Sequence, residues 1–426
     1  MTLIEELKLR GMVQDIMPGT EELLEKESVS AYIGVDPTAD SLHVGNLATL
    51  MLLVYLKRDG HQPVALVGGA TGMVGDPSGR SEERTLLDEA TLQQNIEGVH
   101  RQLQAILDIP STGKADLPVK MVNNYDWFKD MGTLEFLRKI GKHLTINYML
   151  AKDSVKSRID SGLSFTEFSY QLIQGYDFCH LYQHEGVKLQ MGGSDQWGNI
   201  TAGTELIRRI AGGEAFAFTC PLITKADGSK FGKSEGGNIW LDAKKTSPYR
   251  FYQFWLNTSD DDAAGFIKRF TLMDLDDIEL LIARHKEAPH LRELQKALAK
   301  EITVLVHGID AFDQAVVATE IMFKGTKEQL QTLDAAQLLE ILEGVPQFSV
   351  PSALLSEGVD VIDLLGKHTQ ILPSKSEATR SVKQNSISIN MEKVTLEHQV
   401  SDRDLLNERF ILVQKGKKNR YLVTVE

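Results

Sequence analysis

Cysteine is almost missing from this sequence. Cys179 and Cys220 are the two present in 426 residues. That number excludes a disulfide framework, and without CxxC spacing it offers no zinc ribbon. Long apolar runs are missing too: no stretch approaches the roughly 20 residues needed to cross a bilayer. The opening MTLIEELKLRGM is amphipathic rather than signal-like, so a cytoplasmic location is expected. Positive charge is in deficit, with 46 Lys and Arg against 59 Asp and Glu and a formal net charge of −13. This excludes broad DNA binding through a basic surface but leaves RNA open. The deficit is uneven, because residues 356–426 hold eleven Lys and Arg against ten Asp and Glu, and the rest of the chain carries −14. A polyanion is therefore expected to dock on selected patches. His180 and His184, at i and i+4, have no third ligand nearby in sequence, and no metal site is expected.

What is present is an apolar content of 42%, enough to bury the cores of two or three domains. SVSAYIGVD, residues 28–36, alternates so that Val29, Ala31, Ile33 and Val35 face one way and Tyr32, Gly34 and Asp36 the other. A turn PTADS follows, then an apolar helix from about Leu42 to Arg58, a second strand in QPVALVGG, and a further strand candidate in VKMVNNYDW. Strands alternating with helices predict an α/β fold with a doubly wound parallel sheet, whose ligands sit beyond the carboxyl ends of the strands. From Ser247 to Gly344 the pattern turns to helix after helix. VPQFSVPS reads as a linker over 345–355, and residues 356–426 as a small tail. The tail contains a capping box from Ser374 to Glu377 and strands in SISIN and RYLVTVE.

Two stretches carry the chemistry. SLHVGNL, residues 41–47, places a histidine and a glycine at a helix start, where unpaired N–H groups and the dipole favour a phosphate. ITKADGSKFGKS, residues 223–234, holds Lys225, Lys230 and Lys233 in a glycine-punctuated loop whose ammonium groups are expected to move and to close on polyphosphate. Alone, that loop reads better as a solvated basic loop. Paired with the histidine helix start, it suits a triphosphate and a departing pyrophosphate. In SYQLIQGYD, Tyr170, Gln174 and Asp177 fall at i, i+4 and i+7, one polar face on an otherwise apolar helix. Such groups need partners, unless the face is simply a surface one. With Tyr32, Gly34, Asp36 and Asp76 they could surround a small zwitterion that also carries a hydroxyl.

HVGN at 43–46 resembles the HIGH signature of the class I aminoacyl-tRNA synthetases, and KFGKS at 230–234 resembles their KMSKS signature. The similarity is greatest to the bacterial tyrosine branch and extends through YIGVDPTADSLHVGNL, VGGATGMVGDPSGR, SFTEFSYQLIQGYDF and LQMGGSDQWGN. Asn46 departs from the family's final histidine, and Phe231 and Gly232 from its methionine and first serine. The resemblance implies a Rossmann-like catalytic domain over 1–246, an α-helical domain over 247–344, and a small α+β RNA-binding domain over 356–426. It also implies that tyrosine is activated with ATP and Mg2+ and transferred to tRNA(Tyr) by a homodimer. By resemblance, Tyr32 and Asp177 hydrogen-bond the phenol, Asp76, Tyr170 and Gln174 hold the ammonium, and Gln196 lies near the carboxylate. Asp195 and Gly193 would bind the ribose, with Thr49 close by. Asp36 would meet the nucleotide end, with Gly34, Gly45 and Asn46 on the same side. Thr38, His43, Lys230 and Lys233 would surround the phosphates, with Arg80 and Arg84 on a mobile loop.

The tail is similar to the RNA-binding fold named after ribosomal protein S-four, with SKSEATRSVKQNSISINMEKV as the matching part. Lys375, Arg380, Lys383, Lys417 and Lys418 are its candidate RNA contacts, unless it is only a stabilising appendage. Other readings are a tryptophan-specific synthetase, a nucleotidyltransferase with its own HxGH motif, and a synthetase-like RNA-binding protein without catalysis. An indole offers Tyr32 and Asp177 no phenol. A nucleotidyltransferase has no need of the KFGKS loop, and a non-catalytic relative has no chemical reason to keep His43, Lys230, Lys233, Asp177 and Asp195 together.

Overall fold

The computed structural model describes residues 1–79, 87–108, 117–159, 162–228, 231–234, 237–343, 345–416 and 419–426. Arg80, Arg84, Lys230, Lys417 and Lys418 lie outside these, as does the side chain of Lys233. The chain packs as two compact units, Met1–Thr246 with Gln253–Val306, and Ser247–Tyr252 with His307–Glu426.

The first unit is built on five strands, β1 (Ser30–Val35), β2 (Gln62–Val67), β3 (Lys120–Asn123), β4 (Val187–Gly193) and β5 (Phe216–Cys220), in the order β3-β2-β1-β4-β5 and parallel throughout. Helices cover both faces of such a sheet, so β1 is buried on both: Ala31, Tyr32 and Ile33 are all within 3% of full burial. The alternation in its sequence therefore separates packing residues from site residues, not core from solvent. The helix Val44–Arg58 that follows β1 is fully buried from Leu50 through Leu56, which is why it reads as apolar all round. β1 leads on to β2 and β3 on one side while β4 and β5 lie on the other, so a crevice opens beyond the ends of β1 and β4.

The second unit holds a five-stranded sheet in the order Glu392–Lys393, Ile387–Ile389, Phe410–Lys415, Asn419–Val425 and Gln347–Val350. The last pair is parallel and the rest antiparallel. Gln347–Val350 falls in the expected linker, whose two prolines sit outside the strand at positions where no ladder donor is lost. The helical stretch is also divided: the helices Asp260–Phe270 and Leu275–Glu287 belong to the first unit, and Ile309–Lys324 belongs to the second. The reason is an apolar sheet face. Phe410, Leu412 and Leu422 pack on Ile321, Met322, Leu338 and Leu342, while Ile411, Val413 and Val423 point the other way, to Leu364, Leu365 and Val382. Half of the predicted capping box forms, with Ser374 accepting from the Glu377 N–H at 3.2 Å, while the Glu377 carboxylate turns to Lys415 at 2.9 Å. Among the described residues, no helix is long and apolar enough to cross a membrane.

Candidate active site

The crevice beyond β1 and β4 is a cavity of about 410 Å3. Its wall includes Tyr32, Gly34, Asp36 and Thr38 from β1 and the turn after it, and His43, Gly45, Asn46 and Thr49 from the start of the next helix. Asp76 comes from the bend after β2, Tyr170, Gln174 and Asp177 from the helix Phe165–Glu185, and Gly193, Asp195 and Gln196 from the end of β4. The described residues that the resemblance assigned to tyrosine or ATP thus meet in one space, except Lys233, whose side chain is not described and which is not among the lining residues.

At its deep end, Asp177 is 2% exposed and accepts two hydrogen bonds of 3.0 Å, from Asn124 Nδ2 and Trp127 Nε1. Burial raises its carboxyl to about 8 despite these donors. Tyr32 lies beside it, 1% exposed, and its Oη has no hydrogen-bond partner among the described residues. Burial, with the Asp177 charge adding to it, lifts the Tyr32 phenol far above its ordinary range. A buried orphan hydroxyl next to a buried carboxylate is unfavourable in an empty protein and complementary to a ligand hydroxyl that can donate to one and accept from the other. Trp127 is itself held by stacking on His180, ring centroids 4.4 Å apart, and burial lowers His180 to about 4. The histidine pair thus packs behind the aspartate's support.

The middle of the cavity is a polar network. Gln196 Nε2 donates to Asp76 Oδ2 at 2.6 Å, the Ser78 N–H donates to Asp76 Oδ1 at 3.0 Å, and Asn199 Nδ2 donates to Gln174 Oε1 at 3.0 Å. Tyr170 Oη donates to Asp36 Oδ2 at 2.9 Å, which draws Asp36 toward this middle region rather than only to the nucleotide end. Burial and the neighbouring Asp36 and Asp76 charges hold Tyr170 protonated. Burial also raises Asp195, helped by Asp76.

At the mouth, the structure gives the helix-start glycine a steric reason in addition to the expected one. His43 is the N-cap: its Nδ1 accepts from the Gly45 N–H at 3.1 Å, and its own N–H donates to Asn46 Oδ1 at 3.1 Å. A Cβ on Gly45 would lie 2.8 Å from the His43 ring, so the glycine makes room for the histidine, and Asn46 closes a capping box that a histidine would not. The described part of the lysine loop, residues 231–234, is anchored, while the expected movement of the ammonium groups of Lys230 and Lys233 falls outside the described residues. Phe231, 9% exposed, sits among Phe254, Trp255, Phe266 and Phe270. Gly232 has φ +79°, and a Cβ there would meet Val44 Cγ2 at 2.9 Å. Its carbonyl accepts from the Ile239 N–H, whose own carbonyl accepts from the Val44 N–H at 2.9 Å. Lys233–Ser234 then pairs antiparallel with Gly237–Asn238. The two signatures are therefore fastened to each other through backbone.

Asn124, Trp127, Ser78 and Asn199 escaped the sequence reading because nothing in VNNYDW, GDPSG or QWGN alone says which neighbours they support. Gln190 had a visible signal, a lone amide inside the apolar strand VKLQMGG; it is 2% exposed and lines the cavity. In the second unit, Lys375, Arg380 and Lys383 are exposed on the helix Lys375–Lys383, with Lys375 paired to Asp363 at 2.5 Å.

Residues 24–324 match the profile of the family described as tRNA synthetases class I (W and Y). Residues 337–423 match the tyrosine–tRNA ligase SYY-like C-terminal domain. The tyrosine–tRNA ligase of Porphyromonas gingivalis strain W83 is 59% identical over 432 aligned residues, covering 100% of both chains. That of Cytophaga hutchinsonii is 58% identical, covering 99% of this chain and 98% of its own. Among solved structures, a C-terminally truncated mitochondrial tyrosyl-tRNA synthetase of Aspergillus nidulans superposes with a TM-score of 0.69 at 30% identity, covering 76% of this chain and 94% of its own.

Proposed function

The chain belongs to the tyrosine–tRNA ligases, within the class I tRNA synthetases, and from that membership we propose how its cavity divides the work. The enzyme activates L-tyrosine with ATP to tyrosyl-adenylate and pyrophosphate, then transfers the tyrosyl group to the 3′-terminal ribose of tRNA(Tyr). Tyr32 and Asp177 take the phenol, Asp76, Tyr170 and Gln174 the ammonium, and Gln196 the carboxylate side. Gly193, Asp195 and Thr49 take the ribose, and Gly34, Asp36, Gly45 and Asn46 border the nucleotide. Thr38, His43, Lys230, Lys233, Arg80 and Arg84 serve the phosphates. The observation that carries this reading is the orphaned Tyr32 Oη beside Asp177, two buried polar groups that one phenol satisfies together.

In the first step a tyrosine carboxylate oxygen attacks the α-phosphorus of ATP, the bond to the bridging oxygen breaks, and pyrophosphate leaves. The carboxylate is already ionised, so no general base is required, and the contributions are alignment and stabilisation of phosphate charge. ATP enters as its Mg2+ complex. In the second step a ribose hydroxyl of tRNA attacks the adenylate's carbonyl carbon and AMP departs.

The tail helix carrying Lys375, Arg380 and Lys383, together with Lys417 and Lys418, serves tRNA through phosphate contacts. The compartment is the cytoplasm. The assembly is a homodimer, supported by large apolar side chains exposed within one stretch of the first unit: Leu134 at 77%, Ile146 at 60% and Phe165 at 76%. Sedimentation of a Leu134→Asp/Ile146→Asp variant should show a shift to monomer, and an unchanged dimer would place the interface elsewhere. The substrate reading is tested by ATP–pyrophosphate exchange with each of the twenty amino acids. Tyrosine alone should support rapid exchange, whereas an equal rate with phenylalanine would remove the phenol from the argument.

A further inference from the structure

Asn199 lies in the first turn of the helix Trp197–Leu206, 2% exposed and behind the cavity wall rather than in it. Its Nδ2 is surrounded by four acceptor oxygens: Gln174 Oε1 at 3.0 Å, Ser78 Oγ at 3.3 Å, Gln196 Oε1 at 3.3 Å and Asp76 Oδ1 at 3.4 Å. A carboxylate only accepts, so Asp76 fixes this end of the amide as the donor. An amide nitrogen has two hydrogens, so at most two of the four oxygens are well served at once. Asp76 also accepts from the Ser78 N–H and from Gln196 Nε2, but Gln174 Oε1 shares the two Asn199 hydrogens with three other oxygens, and an entering ammonium brings three donors of its own.

We propose that Asn199 is a positioning residue for the substrate's α-ammonium group, an inference that rests on the assignment of Asp76 and Gln174 to that group. In the empty cavity its amide holds Gln174 Oε1 and Asp76 Oδ1 about the same nitrogen, against the repulsion between two acceptors. Without it, the Gln174 amide lowers its energy by rotating so that its own Nε2 donates to Asp76, which presents a donor where the ammonium needs an acceptor. When tyrosine enters, its N–H groups take Asp76 and Gln174, and the two hydrogens of Asn199 remain for Ser78 and Gln196. The polarity of the subsite is thus set by a residue that does not touch the substrate.

Three ligands separate this role from general support of the fold: tyrosine; tyramine, which keeps the ammonium and lacks the carboxylate; and 3-(4-hydroxyphenyl)propionate, which keeps the carboxylate and lacks the ammonium. Their dissociation constants are measured by equilibrium dialysis on the full chain, with exchange kinetics for tyrosine and ATP. Wild-type protein should bind tyrosine more tightly than the deaminated acid; equal binding would overturn the ammonium assignment itself. Asn199→Ala should weaken tyrosine and tyramine by roughly tenfold, the size of one hydrogen bond to a charged group, and leave the deaminated acid and the KM for ATP unchanged. Asn199→Ser, with one hydroxyl donor, should recover part of the loss, and it carries the test if the alanine variant folds poorly. Equal weakening of all three ligands in both variants would mean that Asn199 only supports the helix, and the proposal would fail.

Discussion

Replacing Tyr32 by phenylalanine should move stability and binding in opposite directions. The Tyr32 ring is fully packed, 5.4 Å from Phe178 between centroids, and phenylalanine keeps that packing. What disappears is an oxygen that is buried and has no hydrogen-bond partner among the described residues of the ligand-free protein. An unsatisfied buried polar group costs about 1–3 kcal/mol, so the ligand-free variant should be more stable than wild type by that order. For bound tyrosine the sign reverses: one hydrogen bond to its hydroxyl is lost, about 0.5–1.5 kcal/mol, or roughly 2- to 12-fold in affinity. Urea unfolding without tyrosine and at saturating tyrosine would display both effects, since ligand stabilisation scales with occupancy over the dissociation constant. The curves of variant and wild type should draw together, or cross, as tyrosine is added. A variant less stable than wild type without ligand would show that the hydroxyl has a structural partner, and the argument from an orphaned group would be refuted.

Titration of Asp177 should be visible in two ways. Its carboxyl sits near 8 in the folded protein against an ordinary 3.8, so the folded state retains a proton that the unfolded chain loses, and ligand-free stability should decline as pH rises from about 4 to about 8. Tyrosine affinity should improve over the approach to pH 8, because the phenol donates to the carboxylate form, and Asp177→Asn should flatten that profile in binding measurements. Gly232→Ala should slow adenylation in single-turnover experiments, since alanine at φ +79° costs about 1–2 kcal/mol and its Cβ meets Val44. Adding Val44→Ala should restore the part due to contact and leave the part due to φ; an unaffected rate in Gly232→Ala would show that the docking seen here is not the reacting arrangement. Arg380→Glu with Lys383→Glu should leave pyrophosphate exchange intact and weaken tRNA charging more at low salt than at high salt, whereas normal charging at every salt concentration would remove that helix from the RNA-binding surface. Point changes suit this test better than removal of the chain from Ser352 onward, which would strip Asn419–Val425 from its partner strand and uncover Leu338 and Leu342.

The doubly wound sheet and the gathering of the candidate site residues around one cavity were readable from local order, because strand and helix periods place side chains on faces whatever surrounds them. Tyr32 and Asp36 share one side of β1, and Tyr170, Gln174 and Asp177 share one side of a helix, so their convergence needed only the rule that strand ends form the crevice. The boundary between helical and tail segments was not readable. The continuous apolar run FILV at 410–413 suits a strand covered on both faces, but nothing local says which segments cover it, and only the packed structure shows that one of the covers is the helix Ile309–Lys324.

The sequence by itself determined which chemistry is present: a phenol-sized polar end, a histidine helix start, and a cationic loop punctuated by glycine. Only the tertiary structure decided how those groups are held. Gly45 is small because the His43 ring folds back over it, Gly232 because Val44 lies against it, and Asp177 keeps its place because Asn124 and Trp127, more than fifty positions earlier or exactly fifty, donate to it. The physical reason is that periodicity and signature spacing act along the chain, whereas steric room, burial and hydrogen-bond partnership are set by segments that meet only after folding.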